Sequence, residues 1–252
     1  MTELKQRIIG ALYFIPFIIG TIAGQPYLGV TIGALQVLMA YELAKLIGSS
    51  QKAVIMLAAL FVLTALSSQI SVFGLSPLLL SALLTALCFV IIVVKARFAI
   101  ALFATAVLLC LSNLSVLITL PNAVSLLVSL CLIVTAVDIA AYFVGRAVGG
   151  KKLAPSISPG KTISGAIGGL IGAMLMAYIA SPYISDIYPN SLILGLVFGI
   201  LAQAGDLYES AFKRRVGVKD SSNFIPGHGG FLDRFDGYIF IIPLVVAMIA
   251  TA

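Results

Sequence analysis

Residues 205–236 hold five of the chain's nine carboxylates and its only histidine, interleaved with Lys213, Arg214, Arg215, Lys219 and Arg234. Carboxylate oxygens beside fixed cations can hold a divalent cation and a polyphosphate together: the oxygens take the hard metal, and Lys and Arg take the remaining phosphate charge. At helical spacing Asp206, Glu209, Ser210 and Lys213 share one face, so carboxylates, hydroxyl and ammonium point the same way. His228, enclosed by Pro226, Gly227, Gly229 and Gly230, is expected in a tight turn, hydrogen-bonded to phosphate or carboxylate more readily than ligating a metal.

A second polar stretch runs from Gly145 to Gly165 and contains Arg146, Lys151, Lys152, Ser158, Lys161 and Thr162. Its end, Ser158 to Ser164, is expected to open a helix whose first amides and positive dipole end suit phosphate, with Lys161 and Thr162 beside it. A P-loop is excluded, because the first glycine of that motif would fall at Pro155 and no strand precedes the loop. Gly165, Gly168, Gly169 and Gly172 have the small-residue spacing of close helix packing.

These polar segments must be positioned by a membrane domain. The chain is 61% hydrophobic and 10% charged, with a mean hydropathy of +1.17, and a soluble globule needs about a quarter of its residues charged. Apolar stretches of spanning length occur at 8–24, 27–47, 53–73, 75–94, 98–119, 123–145, 162–182, 191–212 and 237–252. The fold class expected is all-α, a polytopic membrane helix bundle of about nine transmembrane helices. The amino-terminal helices (1–120) and a carboxy-terminal catalytic region (121–252) form one membrane domain. The first span lacks a cleavage site and is read as a retained helix. Cys88, Cys110 and Cys131 lie singly within spans and imply neither disulfide nor zinc site.

All fifteen Lys and Arg residues fall in alternate connections: before the first span, and between spans two and three, four and five, six and seven, and eight and nine. The positive-inside rule then places the amino terminus and every basic loop in the cytoplasm. The net charge of +6 reports that orientation rather than nucleic-acid binding. Glu42, Asp138, Asp206 and Glu209 all fall in the inner part of the bilayer, where a carboxylate is a functional candidate by default. For Glu42 the plainer expectation is a helix-surface ion pair with Lys45.

The pattern Ser210-x-Phe212-Lys213-Arg214, then Lys219-Asp220-x-Ser222-x-x-Ile225-Pro226-x-His228-Gly229-Gly230-Phe231-x-Asp233-Arg234-Phe235-Asp236, resembles the signature of the phosphatidate cytidylyltransferases. Asp138-x-x-Ala141-Tyr142-x-x-Gly145 and Ser158-Pro159-x-Lys161-Thr162 resemble the same family. The likeness covers roughly 138–240 and departs from the family pattern at Gly160 and Ser164. It implies condensation of CTP with phosphatidate to CDP-diacylglycerol and pyrophosphate, with magnesium as cofactor. Phosphatidate is itself an ionised nucleophile, so the task is to offset repulsion between two anions and stabilise the leaving pyrophosphate.

On that resemblance Asp206 and Asp233 are the expected metal carboxylates, with Asp236 and Asp138 supporting them or holding a second metal. Lys213, Arg214, Lys219 and Arg234 are expected on the phosphates, and Ser210 on metal or phosphate. The resemblance also implies a homodimer, and the plain reading of location is the bacterial cytoplasmic membrane with the site facing the cytoplasm. Two alternatives use similar parts. One is a cytidylyltransferase or kinase for an isoprenoid or ether lipid; the other is a transporter for an anionic solute, which would place its polar groups nearer the midplane.

Overall fold

The computed structural model describes residues 12, 15–47, 98–184, 190–227 and 229–251. The expected spans 53–73 and 75–94, the start of the first span, Cys88 and His228 lie outside the described residues. So do Lys5, Arg7, Lys52, Lys95 and Arg97. The described chain is mostly helical, and four of its helices are long and apolar enough to cross a membrane.

The chain forms two compact units, one comprising 1–121 and 212–235 and the other 122–211 and 236–252. Residues 212–235, expected within the carboxy-terminal region, therefore cluster with the amino-terminal helices.

In the first unit, α1 (Ile15–Ile22), α2 (Tyr27–Leu46) and α3 (Phe98–Leu117) supply the apolar core. Leu28, Ile32, Leu35, Met39 and Leu43 line one buried stripe of α2, and Val107, Leu111 and Leu114 one of α3. Between them Gln36 Nε2 donates to Leu111 O and to Ser115 Oγ, both at 2.7 Å. Such a bond ties helices together where lipid offers no hydrophobic drive. Phe103 stacks on Phe212 with centroids 4.0 Å apart, and a short helix α8 (Leu232–Phe235) packs on α2.

The second unit is built on α4 (Ala123–Val148) and α5 (Ile163–Ile179), with a short helix α6 (Ser181–Ile184). Ile163, Ile167, Ile171, Leu175 and Ile179 recur every fourth residue on the exposed face of α5, as lipid-facing residues should. Its other face carries the glycines. A methyl group on Gly165 would stand 2.7 Å from Ala141 O and 3.2 Å from Gly145 Cα, and one on Gly172 2.7 Å from Ala140 Cβ. The glycine spacing therefore serves close packing, as expected. Gly165→Ala must push backbone against backbone, and overpacking of this kind costs about 1–3 kcal/mol. The detergent-solubilised protein should lose thermal stability accordingly, whereas Gly160→Ala, with nothing within 4 Å, should match the parent in the same melt.

The connection between α4 and α5 departs from expectation. It is an antiparallel hairpin of β1 (Lys152–Ala154) and β2 (Ser158–Thr162), with Lys152 opposite Thr162 and Ala154 opposite Ser158. The helix begins only at Ile163, because Thr162 is extended (φ −115°, ψ 157°) and its hydroxyl accepts from Gly165 N at 3.1 Å as an N-cap.

A further helix, α7 (Ser191–Arg215), runs beyond the expected 212 to a basic last turn that suits its negative dipole end. The last, α9 (Ile241–Thr251), starts later than expected. Asp236 Oδ1 accepts from Gly237 N at 2.7 Å, a local bond that competes with helix, and 236–238 form a 3₁₀ turn. Among the described cysteines, Cys110 is buried and Cys131 exposed, and neither is in a disulfide.

Candidate functional site

In the second unit the carboxy-terminal half of α4, the hairpin, the first turn of α5 and Asp206 of α7 line a cavity of about 610 Å³. That is within the range of small-molecule sites. Asp138, Lys161, Thr162 and Asp206, all expected from the sequence, line it together. The Lys161 ammonium is paired with Asp206 Oδ2, and Ser210 Oγ donates to Asp206 Oδ1 at 3.3 Å. Ser158 opens β2, half-buried, and lies outside the lining. Asp236 is placed by its backbone: its carbonyl closes on Gly205, leaving no room for a side chain beside Asp206.

Two cations, Arg146 and Lys152, also line the cavity, together with Tyr142 and Gln203. Arg146 Nη1 donates to Tyr142 Oη at 2.8 Å. Asp138, Tyr142 and Arg146 follow at intervals of four, so their common helical face was readable from spacing alone.

The expected phosphate site at the start of α5 is altered. Ile163 N donates to Lys151 O at 3.0 Å, and Gly165 N is taken by Thr162. Two of the first amides are thus consumed by the hairpin and the cap. Ser164 Oγ donates to Gly149 O, so this departure from the family pattern holds the hairpin's base.

The remaining expected residues belong to the first unit. Arg214 and Arg234 are exposed, as is Lys219, and Arg214 Nη1 donates to Val218 O at 3.1 Å. Lys213 Nζ donates to Asp233 Oδ1 at 2.6 Å. Asp233 also accepts from Ser221 N, at 3.0 and 2.9 Å to its two oxygens, and from Gly230 N at 2.8 Å.

Exposure separates the two ion pairs. The side chains of Lys161 and Asp206 are 30% and 26% exposed, so the pair is half-open. Those of Lys213 and Asp233 are 10% and 4% exposed, walled in. Burial alone would raise the Asp233 carboxyl, but the hydrogen bonds from Gly230, Lys213 and Ser221 and the Lys213 charge hold it below the usual carboxylate range.

The sign follows from linkage. A depressed carboxyl stabilises the folded loop at every pH above its unfolded value, and that contribution disappears as pH falls through the folded one. Cleavage of 217–232 by an acid-active protease should stay slow down to about pH 4 and then rise.

Glu42 does not form the expected surface pair with Lys45. Lys45 is exposed, whereas Glu42 is buried and accepts hydrogen bonds from the 221–232 segment. Glu209, on α7, is buried too.

Among the described residues no three His, Cys, Asp or Glu side chains cluster as a ready cation cage. Calcium usually takes such a cage, whereas magnesium is commonly held by one or two carboxylates plus substrate phosphates and water. The open Asp206 carboxylate fits the second pattern. A cation at Asp233 would have to replace a donor such as Lys213.

A family model described as the Cytidylyltransferase family matches residues 5–252. Curated relatives include the phosphatidate cytidylyltransferase of Bacillus subtilis (strain 168), 44% identical over 124 residues, which is 48% of this chain and 45% of the relative. That of Staphylococcus epidermidis (strain ATCC 12228 / FDA PCI 1200) is 45% identical over 117 residues, 45% of each chain. That of Staphylococcus aureus (strain COL) is 48% identical over 117 residues with the same coverage. The matched region spans a little under half the length of these relatives.

Proposed function

The chain belongs to the cytidylyltransferase family, and from that premise we propose that it condenses CTP with phosphatidate to give CDP-diacylglycerol and pyrophosphate. A phosphate oxygen of the lipid attacks the α-phosphorus of CTP, and the bond from that phosphorus to the bridging oxygen of the β-phosphate breaks. No serine or histidine need be activated, since the nucleophile is already ionised at neutral pH.

The observation that carries this reading is the half-open Lys161–Asp206 pair inside a cavity that also presents Asp138, Arg146 and Lys152. Asp206 would hold magnesium, with Asp138 and Asp236 supporting it and Asp233 as a further candidate ligand. The metal's chemistry is to neutralise phosphate charge as the two anions approach. Lys161, beside Asp206 on the cavity wall, would take a triphosphate oxygen. Arg146 and Lys152 extend the cationic wall. Lys213, Arg214, Lys219 and Arg234 are assigned to phosphate contacts, and Ser210 steadies the Asp206 carboxylate.

In this reading nine spans cross the bacterial cytoplasmic membrane as a homodimer, with the site on the cytoplasmic side where CTP arrives. The alternation of basic connections supports that orientation. The deciding experiment incubates the purified full chain with labelled CTP, phosphatidate and magnesium in mixed micelles. A labelled liponucleotide with stoichiometric pyrophosphate is expected; label transferred only to an isoprenoid alcohol or ether-lipid phosphate would replace phosphatidate as substrate. In proteoliposomes, uptake of an anionic solute that survives Asp233→Asn, with no liponucleotide formed, would overturn the enzyme reading.

A further inference from the structure

Glu42 sits near the carboxy-terminal end of α2, in the amino-terminal part of the chain where no motif residue was recognised, and is 1% exposed. Its Oε1 accepts from Ser222 Oγ at 2.6 Å and Phe231 N at 3.0 Å. Its Oε2 accepts from Leu232 N at 2.8 Å and Ser221 Oγ at 3.2 Å. Two hydroxyls and two amides, all from one segment, thus occupy the four acceptor positions a carboxylate offers. Burying a carboxylate is expensive unless its hydrogen bonds are complete, and here they are completed only when Ser221, Ser222, Phe231 and Leu232 stand as they do.

The same segment is gripped a second time by Asp233, through Ser221 N and Gly230 N. The two adjacent glycines show how closely the carboxylates approach. A Cβ on Gly230 would stand 2.5 Å from Glu42 Oε2 and 2.6 Å from Oε1, and would meet Ser221 Oγ. Gly229 has φ +80°, and a Cβ there would meet Asp233 Oδ2. Gly229-Gly230 is therefore glycine because a carboxylate from α2 and another from α8 close on the backbone at successive residues.

We propose that Glu42 is a positioning residue for cytidylyl transfer: it anchors the loop that carries Asp233 and Arg234 and so sets where those groups stand during the reaction. This inference rests on the function proposed above. It assigns to the amino-terminal helices a part in the chemistry beyond spanning the bilayer.

Glu42→Gln replaces one acceptor oxygen by a donor, which then faces a hydroxyl and an amide that also donate. Gly230→Ala crowds the same carboxylate without changing any charge. Glu42→Asp keeps all the acceptors on a shorter arm, and Lys45→Gln tests the surface-pair alternative. Two readouts are made on the detergent-solubilised full chain: hydrogen exchange at the Phe231 and Leu232 amides, and kcat and KM per folded molecule with CTP and phosphatidate.

Glu42→Gln and Gly230→Ala should both speed exchange at the two amides by about tenfold or more. They should lower kcat by about tenfold or more while KM for CTP stays within about threefold. Glu42→Asp should fall between these variants and the parent, and Lys45→Gln should behave as the parent. The inference is overturned if Glu42→Gln leaves exchange and kcat within about twofold of the parent, or if activity falls only with the folded fraction. Loosened amides with unchanged kcat would overturn it too, leaving only a structural clamp. Should the parent itself form no liponucleotide, the function reading fails, and the exchange data still decide whether Glu42 holds the loop.

Discussion

Asp206→Asn should reduce magnesium-dependent release of pyrophosphate from CTP by at least about 10²–10³-fold, the scale on which loss of one electrostatic group at a reacting phosphate or carbonyl is felt. Asparagine keeps the shape and its carbonyl can still accept from Ser210, so α7 should insert and fold as before. What disappears is the charge. A neutral amide is a poor ligand for a hard cation, and Lys161 loses the counter-ion that holds it over the cavity. Activity of the purified variant, measured across a magnesium titration beside a thermal melt, checks this. Near-normal turnover in a folded protein would remove Asp206 from the metal assignment, and recovery at high magnesium would show that the residue contributes affinity alone.

Asp233→Asn should act differently. Removing one partner of a buried pair leaves the other uncompensated, at a cost of about 3–5 kcal/mol, and the pair here is walled in, with Asp233 4% and Lys213 10% exposed. Loss of activity should therefore come with opening of the 217–232 loop, visible as faster proteolysis there. The double variant Lys213→Met with Asp233→Asn removes both charges and should recover much of the loop's resistance. If activity returns with it, the pair only supports the loop. If the loop closes again and turnover stays below about one hundredth of the parent, these groups also act on substrate or cation.

Much of the candidate site was legible in the sequence, because the chemistry is concentrated. In a chain with so few charges, Asp138, Lys161 and Asp206 stand out as polar groups placed at a cost within or beside apolar spans, and the structure brings them to one cavity. Arg146 was in view only as a topology marker, although its spacing from Asp138 and Tyr142 already put it on the same helical face.

That two of the first amides of α5 are already taken was not legible, for a different reason. The glycines and prolines of 145–165 mark a loop but do not say that it folds into a hairpin whose carbonyls and cap consume those donors. Glu42 was misread because a carboxylate three residues from a lysine on a helix is a common surface pair. Nothing local distinguishes that pair from a buried anchor.

By itself the sequence determined the membrane character and the family. Hydropathy and motif spacing are sums and intervals along the chain, and they survive any arrangement of the helices. Only the tertiary structure decided which carboxylate meets which donor: Asp206 with Lys161, Asp233 with Lys213 and two amides, Glu42 with the 221–232 loop. Hydrogen bonds and ion pairs act over a few ångströms, so partners distant in the chain are selected by helix packing, here governed in part by the glycine face of α5 and the buried stripe of α2.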